Sequence, residues 1–246
     1  WAEIGIGTFW CMPVNPHKGR SDLYSPTDLA GVDDRLGGEA ALKRFVDAAH
    51  GKGIRVLLDI VIHGLPADAI GQEMKSWVCY GRAGTVLSEW GDPSFDYGNA
   101  AYQAYMRGLM QHFAGDWGID GIRVDSASGS RPNWKRTDGK RPSASTLLGG
   151  VEMACALADG FRDAGKEAIQ IPEMFYAIPS FSSATPYYYN NSLYRVLMDL
   201  NANYRSDRTA YTQKLLDFLS VQYRTRVDGQ INLNWLENHD TVLWSG

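Results

Sequence analysis

The sequence predicts an α/β fold built on parallel strands, of (β/α)8 barrel type, and three observations carry that expectation. Strand-like and helix-like segments alternate along the chain, the order expected of βα units around a parallel sheet. Residues 54–61 (Ile-Arg-Val-Leu-Leu-Asp-Ile-Val) are nearly continuously apolar, as a strand covered on both faces requires. Three acidic residues, Asp125, Glu173 and Asp240, each stand where a short apolar run gives way to a loop. If those runs are strands of one barrel, their carboxyl ends converge on the face where such barrels carry their chemistry.

Taken in order, residues 4–12 read as a strand, followed by a polar loop with Gly and Pro to about residue 38. Over 39–52 the apolar residues Ala41, Leu42, Phe45, Val46 and Ala49 recur at helical spacing, and Gly53 is placed to close that helix. The strand at 54–61 comes next. Residues 65–97, rich in Gly, Trp and small polar side chains, are expected as a long loop excursion, and loops of that length are usually functional. A helical pattern resumes over 100–117 and leads into the run ending at Asp125. Beyond a Ser-, Pro- and Arg-rich loop, residues 146–164 are helical and lead into the run ending at Glu173. Residues 187–189 end a further strand, helices are expected at 192–204 and 208–223, and the run ending at Asp240 closes the series. About six strands are countable where a closed barrel has eight. The expectation is one catalytic barrel over residues 1–246, truncated at both ends.

The 246 residues are enough to bury a substantial core. A formal net charge of −4 does not favour nucleic acid or an anionic membrane as partner. No apolar run approaches the roughly 20 residues of a membrane-spanning helix. Cys11, Cys79 and Cys155 are too scattered for a disulfide framework or a metal knuckle, so the redox compartment stays open. His17, His50 and His112 have no companions at metal-ligand spacing, and the basic stretch 131–141 reads as a solvated loop. The 8 Trp and 13 Tyr residues suit sugar binding, but their flat faces serve a core equally well.

Side chains alternate along a strand, so Arg123 shares a face with Asp125. A guanidinium there favours the ionised carboxylate, as a nucleophile needs, although a structural ion pair would look the same. Glu173 follows Pro172 and shares a face with Ile169 and Ile171. That apolar setting is expected to keep it protonated, as a general acid requires. Asn238, His239 and Asp240 offer hydrogen bonds to vicinal sugar hydroxyls, or a helix cap.

These residues lie in short motifs that resemble the α-amylase family, glycoside hydrolase family 13. Leu-Leu-Asp59-Ile-Val-Ile-His63-Gly64 is similar to that family's first conserved region, and Gly121-Ile-Arg123-Val-Asp125-Ser126 to its second. Ile-Pro-Glu173 resembles the third, and Glu237-Asn238-His239-Asp240 the fourth. Tyr24-Ser-Pro-Thr-Asp28 through Val32-Asp33 to Gly37 resembles the segment after the second barrel strand, which places residues 54–61 as the third strand and the excursion after it. The resemblance implies a retaining enzyme acting on α-glucans of the starch or maltooligosaccharide kind. It implies Asp125 as nucleophile, Glu173 as general acid/base and Asp240 as the residue that holds the reacting sugar's hydroxyls. It further implies Arg123 orienting Asp125, with His239 and Tyr24 on the same sugar. Asn238 offers that sugar hydrogen bonds from its own chemistry, and His63 either reaches into the sugar site from one position earlier or is a barrel-rim histidine with a hydrogen-bond partner. An oligo- or polysaccharide is the implied partner.

Two departures mark the pattern. His63-Gly64 stands where the family has Asn-His, and Ser126-Ala127-Ser128-Gly129 replaces a segment that commonly carries Lys-His. The chemistry needs no cofactor. A structural calcium belongs to the family pattern, but a histidine is a poor ligand for a cation that prefers oxygen, so the departures argue against it. They also motivate one alternative, a catalytically silent carbohydrate-binding or interaction homologue. A transglycosidase of the same family is a second, because the motifs do not encode how well the acceptor site excludes water.

Overall fold

The computed structural model describes residues 1–18, 23–81, 83–129, 148–174, 179–203, 208–235 and 239–240. The chain divides into two compact units, Trp1–Glu173 with Ser183–Thr185, and Met174–Ser182 with Pro186–Gly246. Among the described residues the strands are β1 (Thr8–Cys11), β2 (Arg55–Val61), β3 (Ser88–Glu89), β4 (Asp92–Pro93), β5 (Gly121–Asp125), β6 (Ile169–Pro172), β7 (Tyr187–Tyr189) and β8 (Ile231–Leu233). The helices are α1 (Gly38–His50), α2 (Ala100–Gly115), α3 (Gly149–Asp163), α4 (Asn191–Asn203) and α5 (Arg208–Thr225).

In the first unit, β1, β2, β5 and β6 form one parallel sheet in that order. Every residue of β2 except Arg55 is buried, the burial that its continuous apolar run predicts. The register sets Val61 beside Asp125 and Val124 beside Pro172, so the carboxyl ends of β2, β5 and β6 finish almost level. Parallel strands connected through helices in this way make an arc of a (β/α)8 barrel. The first strand is shorter than its sequence implies: residues 2–4 form a 3-10 turn and pairing begins at Thr8.

Helix α1 buries Leu42, Val46 and Ala49, while Phe45 stays 40% exposed and stacks on Phe9 at 6.0 Å between ring centroids. Asn99 caps α2 by accepting from the N–H groups of Ala101 and Tyr102, and α2 buries Tyr102, Met106, Leu109, Met110, Phe113 and Ala114. Helix α3 packs along α2 at Gly160, where a Cβ would lie 2.3 Å from the carbonyl oxygen of Arg107. No side chain fits between the two backbones. Gly160→Ala is therefore expected to push the helices apart and cost about 1–3 kcal/mol, read as a lower midpoint in thermal unfolding.

Within residues 65–97 the chain forms 3-10 turns at Ala67–Ala69 and Glu73–Trp77 and the antiparallel β3–β4 hairpin. Isolated bridges Gly64↔Ser94 and Val78↔Phe95 tie the far side of the hairpin to the end of β2 and the segment after it. Trp77, Phe95 and Tyr102 pack ring against ring at 5.0–5.7 Å, anchoring the segment to α2.

The second unit holds β7 and β8, paired in parallel, with α4 and α5. Asn190 exchanges hydrogen bonds with Gln222 and donates to Asn234, and Trp235 stacks on Tyr194 at 4.3 Å. Here the structure corrects the sequence reading. β8 ends at Leu233, and His239 and Asp240 lie in a helical turn rather than at the end of a continuous strand. No helix among the described residues is long and apolar enough to cross a membrane.

Candidate active site

The site of the first unit is organised around one arginine. Arg123 projects from the middle of β5 and its side chain is wholly buried. Its Nη1 donates to Asp125 Oδ1 at 2.7 Å and to Asp59 Oδ1 and Oδ2 at 2.9 and 3.2 Å. Its Nη2 lies 2.5 Å from Glu173 Oε1, an ion-pair contact outside good hydrogen-bond alignment. Strand register explains the convergence: Asp59 on β2 is the direct neighbour of Arg123, Asp125 lies two residues further on the same face, and Glu173 follows the end of β6. Glu173 is fixed again by its own backbone N–H, which donates to Val124 O at 3.0 Å. Its Oε2 accepts the backbone N–H of Ser126 at 2.9 Å.

One cation thus faces three carboxylates. Burial alone would lower the Arg123 pKa, but Asp59, Glu173 and Asp125 hold it well above its ordinary value. For Asp59, burial dominates and pushes the carboxyl up to about 7; Arg123 opposes the rise and the charge on Asp125 adds to it. Tyr24 donates to Asp59 Oδ2 at 2.9 Å, and its ring lies 5.8 Å from the Arg123 guanidinium carbon. Burial first, and then the neighbouring Asp59 charge, raise the Tyr24 hydroxyl above its ordinary range, so it stays a donor. Trp10 covers the guanidinium from another side at 5.6 Å.

The Asp59 carboxyl titrates higher in the folded chain than its ordinary 3.8. It therefore adds stability that is complete below about pH 4 and is lost as pH rises through about 7. Unfolding free energies measured across that window are expected to fall less steeply for Asp59→Asn than for the parent.

His63 is buried, with Nε2 3.8 Å from Asp125 Oδ2. Gly64, which follows it, explains one departure from the family motif in steric terms. A Cβ there would sit 2.0 Å from the carbonyl oxygen of Pro93, so the hairpin occupies the space a side chain would need. Ser126 has φ of 45°, a left-handed turn straight after Asp125 that aims its N–H at Glu173. Its carbonyl accepts the Tyr97 hydroxyl at 3.2 Å.

The first unit therefore brings together Asp125, Glu173, Arg123, Tyr24 and His63. In the second unit His239 and Asp240 lie side by side, with Nε2 and Oδ1 at 3.4 Å. Asn238 falls outside the described residues, as does the basic stretch 131–141. Glu173 differs from its expected apolar setting, because Arg123 forms an ion pair with it and the Ser126 N–H donates to it. The neighbouring strand and the turn after it supply those partners, which the Ile169–Pro172 run could not reveal. The residue that sequence reasoning passed over is Asp59, whose signal was a lone acid inside an otherwise apolar strand. Among the described residues, no group of three His, Cys, Asp or Glu side chains is arranged to hold a metal ion.

No family model matches the chain. Among curated proteins, the 1,4-alpha-glucan branching enzyme GlgB 2 of Xanthomonas campestris pv. campestris (strain 8004) is 30% identical over 191 residues, 75% of this chain and 26% of that enzyme. Malto-oligosyltrehalose trehalohydrolase of Rhizobium sp. (strain M-11) is 30% identical over 133 residues, 51% of this chain and 21% of that protein. The solved maltogenic alpha-amylase AmyB of Thermotoga neapolitana superposes with a TM-score of 0.75 at 23% identity, over 97% of this chain and 53% of that one. An alpha-amylase of Lactobacillus plantarum does so with a TM-score of 0.75 at 20% identity, over 97% and 56%. The chain belongs to the α-amylase family. It spans about a quarter of the length of the curated relatives it matches, and its parallel sheet is the part of the α-amylase-type barrel described above.

Proposed function

We propose that this α-amylase-family domain carries the nucleophile and general acid/base of a retaining glycosidase acting on α-glucans. The observation that supports it most is the single guanidinium of Arg123 held between Asp125, at 2.7 Å, and Glu173, at 2.5 Å, at adjacent strand ends. In the first step an Asp125 oxygen bonds to the anomeric carbon as the glycosidic C–O bond breaks, and the proton of Glu173 passes to the leaving oxygen. In the second, the Glu173 carboxylate takes a proton from water, whose oxygen attacks the same carbon and releases Asp125. The contacts to Arg123 and Ser126 are those of a carboxylate, the form needed in that second step. Double displacement requires the two carboxyl groups roughly 5–5.5 Å apart. Arg123 orients the nucleophile, and Tyr24 and His63 line the reacting sugar. For Asp240, His239 and Asn238, a role on sugar hydroxyls is supported by the likeness of Glu237-Asn238-His239-Asp240 to the family's fourth conserved region.

A second reading, transfer to a sugar hydroxyl in place of water, is favoured by one observation: the curated relatives include several branching enzymes. Hydrolysis remains the first reading. The test is incubation with maltooligosaccharides, comparing the parent with Asp125→Asn. The parent is expected to release shorter or rearranged chains and the variant to release essentially none. Equal release from both would overturn this reading, with Asp125 as nucleophile; sugar bound by the parent but never cleaved would favour the silent binding homologue.

A further inference from the structure

The β3–β4 hairpin turns through only two residues, Trp90 and Gly91, with φ of 53° and 92°. Two positive φ values in succession are the signature of a type I′ turn, which takes Asn-Gly or Asp-Gly by preference. A bulky aromatic residue in the left-handed region is an outlier, and such strain tends to collect at functional sites. Nor is Trp90 spent on the core, because it is 62% exposed. Its ring leans instead on His63, with centroids 4.9 Å apart and planes tilted by 57°, and His63 in turn lies 3.8 Å from Asp125.

The hairpin that carries the indole is fixed in place. Gly64 bridges Ser94, the Phe95 N–H donates to His63 O at 2.9 Å, and Ser25 donates to Asp92 at 2.6 Å. The indole is therefore a rigid, solvent-facing plate one imidazole away from the nucleophile.

We propose that Trp90 is a stacking platform for a pyranose ring, binding the sugar unit next to the one held at Asp125. This rests on the α-glucan reading above and adds to it a required substrate feature, a second ring joined to the reacting one. The indole supplies a flat apolar face for the C–H face of a pyranose. The cost in turn geometry follows, since Asn at this position would suit the turn better but offers no plate.

The test uses that substitution. Trp90→Asn and Trp90→Phe are placed in the Asp125→Asn background, which keeps the sugar intact, and maltotriose affinity is measured by calorimetry. Thermal unfolding is recorded alongside. Trp90→Asn is expected to unfold no earlier than its background and to bind maltotriose about tenfold more weakly, with Trp90→Phe recovering most of the loss. Glucose affinity is expected to be unchanged. Unchanged maltotriose affinity in Trp90→Asn, or no maltotriose binding in any version, would overturn the platform. Activity of the parent, measured separately, decides the enzymatic reading, so the two can fail independently.

Discussion

Arg123→Leu is expected to cost about 3–5 kcal/mol of stability, because it removes the cation from a buried cluster and leaves its carboxylates facing one another. Arg123 and Asp59 are both wholly buried, and solvent cannot replace the lost partner. Arg123→Lys is expected to recover only part of that loss, since one ammonium cannot span contacts that a planar guanidinium makes to Asp59, Asp125 and Glu173 together. Denaturant unfolding of both variants checks this. Adding Asp59→Asn to Arg123→Leu is expected to restore part of the stability by removing one uncompensated charge, a coupling that a double-mutant cycle reads directly. A loss within about 0.5 kcal/mol for Arg123→Leu, the range of ordinary surface substitutions, would mean that the cluster is not the electrostatic centre described here.

Glu173→Gln is expected to lower turnover of maltooligosaccharides by a factor of roughly 10²–10⁴, the usual contribution of general acid–base catalysis. The amide keeps the size of the side chain but has no proton to give. On an α-glucosyl fluoride, whose leaving group departs without protonation, the first step is expected to be nearly unaffected, and deglycosylation becomes the slow step. Added azide, a nucleophile that needs no base, is then expected to restore rate. Equal losses on both substrates with no azide effect would remove Glu173 from the acid/base role.

The sheet and its helices were legible because long segments repeat their apolar residues at a clear period. The run at 54–61 became β2 and the pattern over 100–117 became α2. Short segments were less legible. Alternating Ile231, Leu233 and Trp235 read as a strand reaching toward Asp240, yet pairing stops at Leu233. Side-chain surroundings were legible only along a single strand, so Arg123 and Asp125 could be joined from sequence. The ion-pair partner and the N–H donor of Glu173 come from β5 and the turn after it, which no reading of its own run reaches. Trp90-Gly91 has the glycine of a two-residue hairpin turn but a Trp where Asn or Asp is preferred, so the turn that brings an indole to His63 gave only a weak local signal.

The central claim is that Asp125 forms a covalent bond to the sugar. It is tested most directly by incubating the protein with a fluorinated α-glucosyl fluoride whose glycosyl-enzyme breaks down slowly, followed by mass spectrometry of the intact chain and its peptides. The expected result is one added glycosyl mass, located on Asp125 and absent from Asp125→Asn. An adduct on a different carboxylate, or release of a product with inverted anomeric configuration, would contradict it.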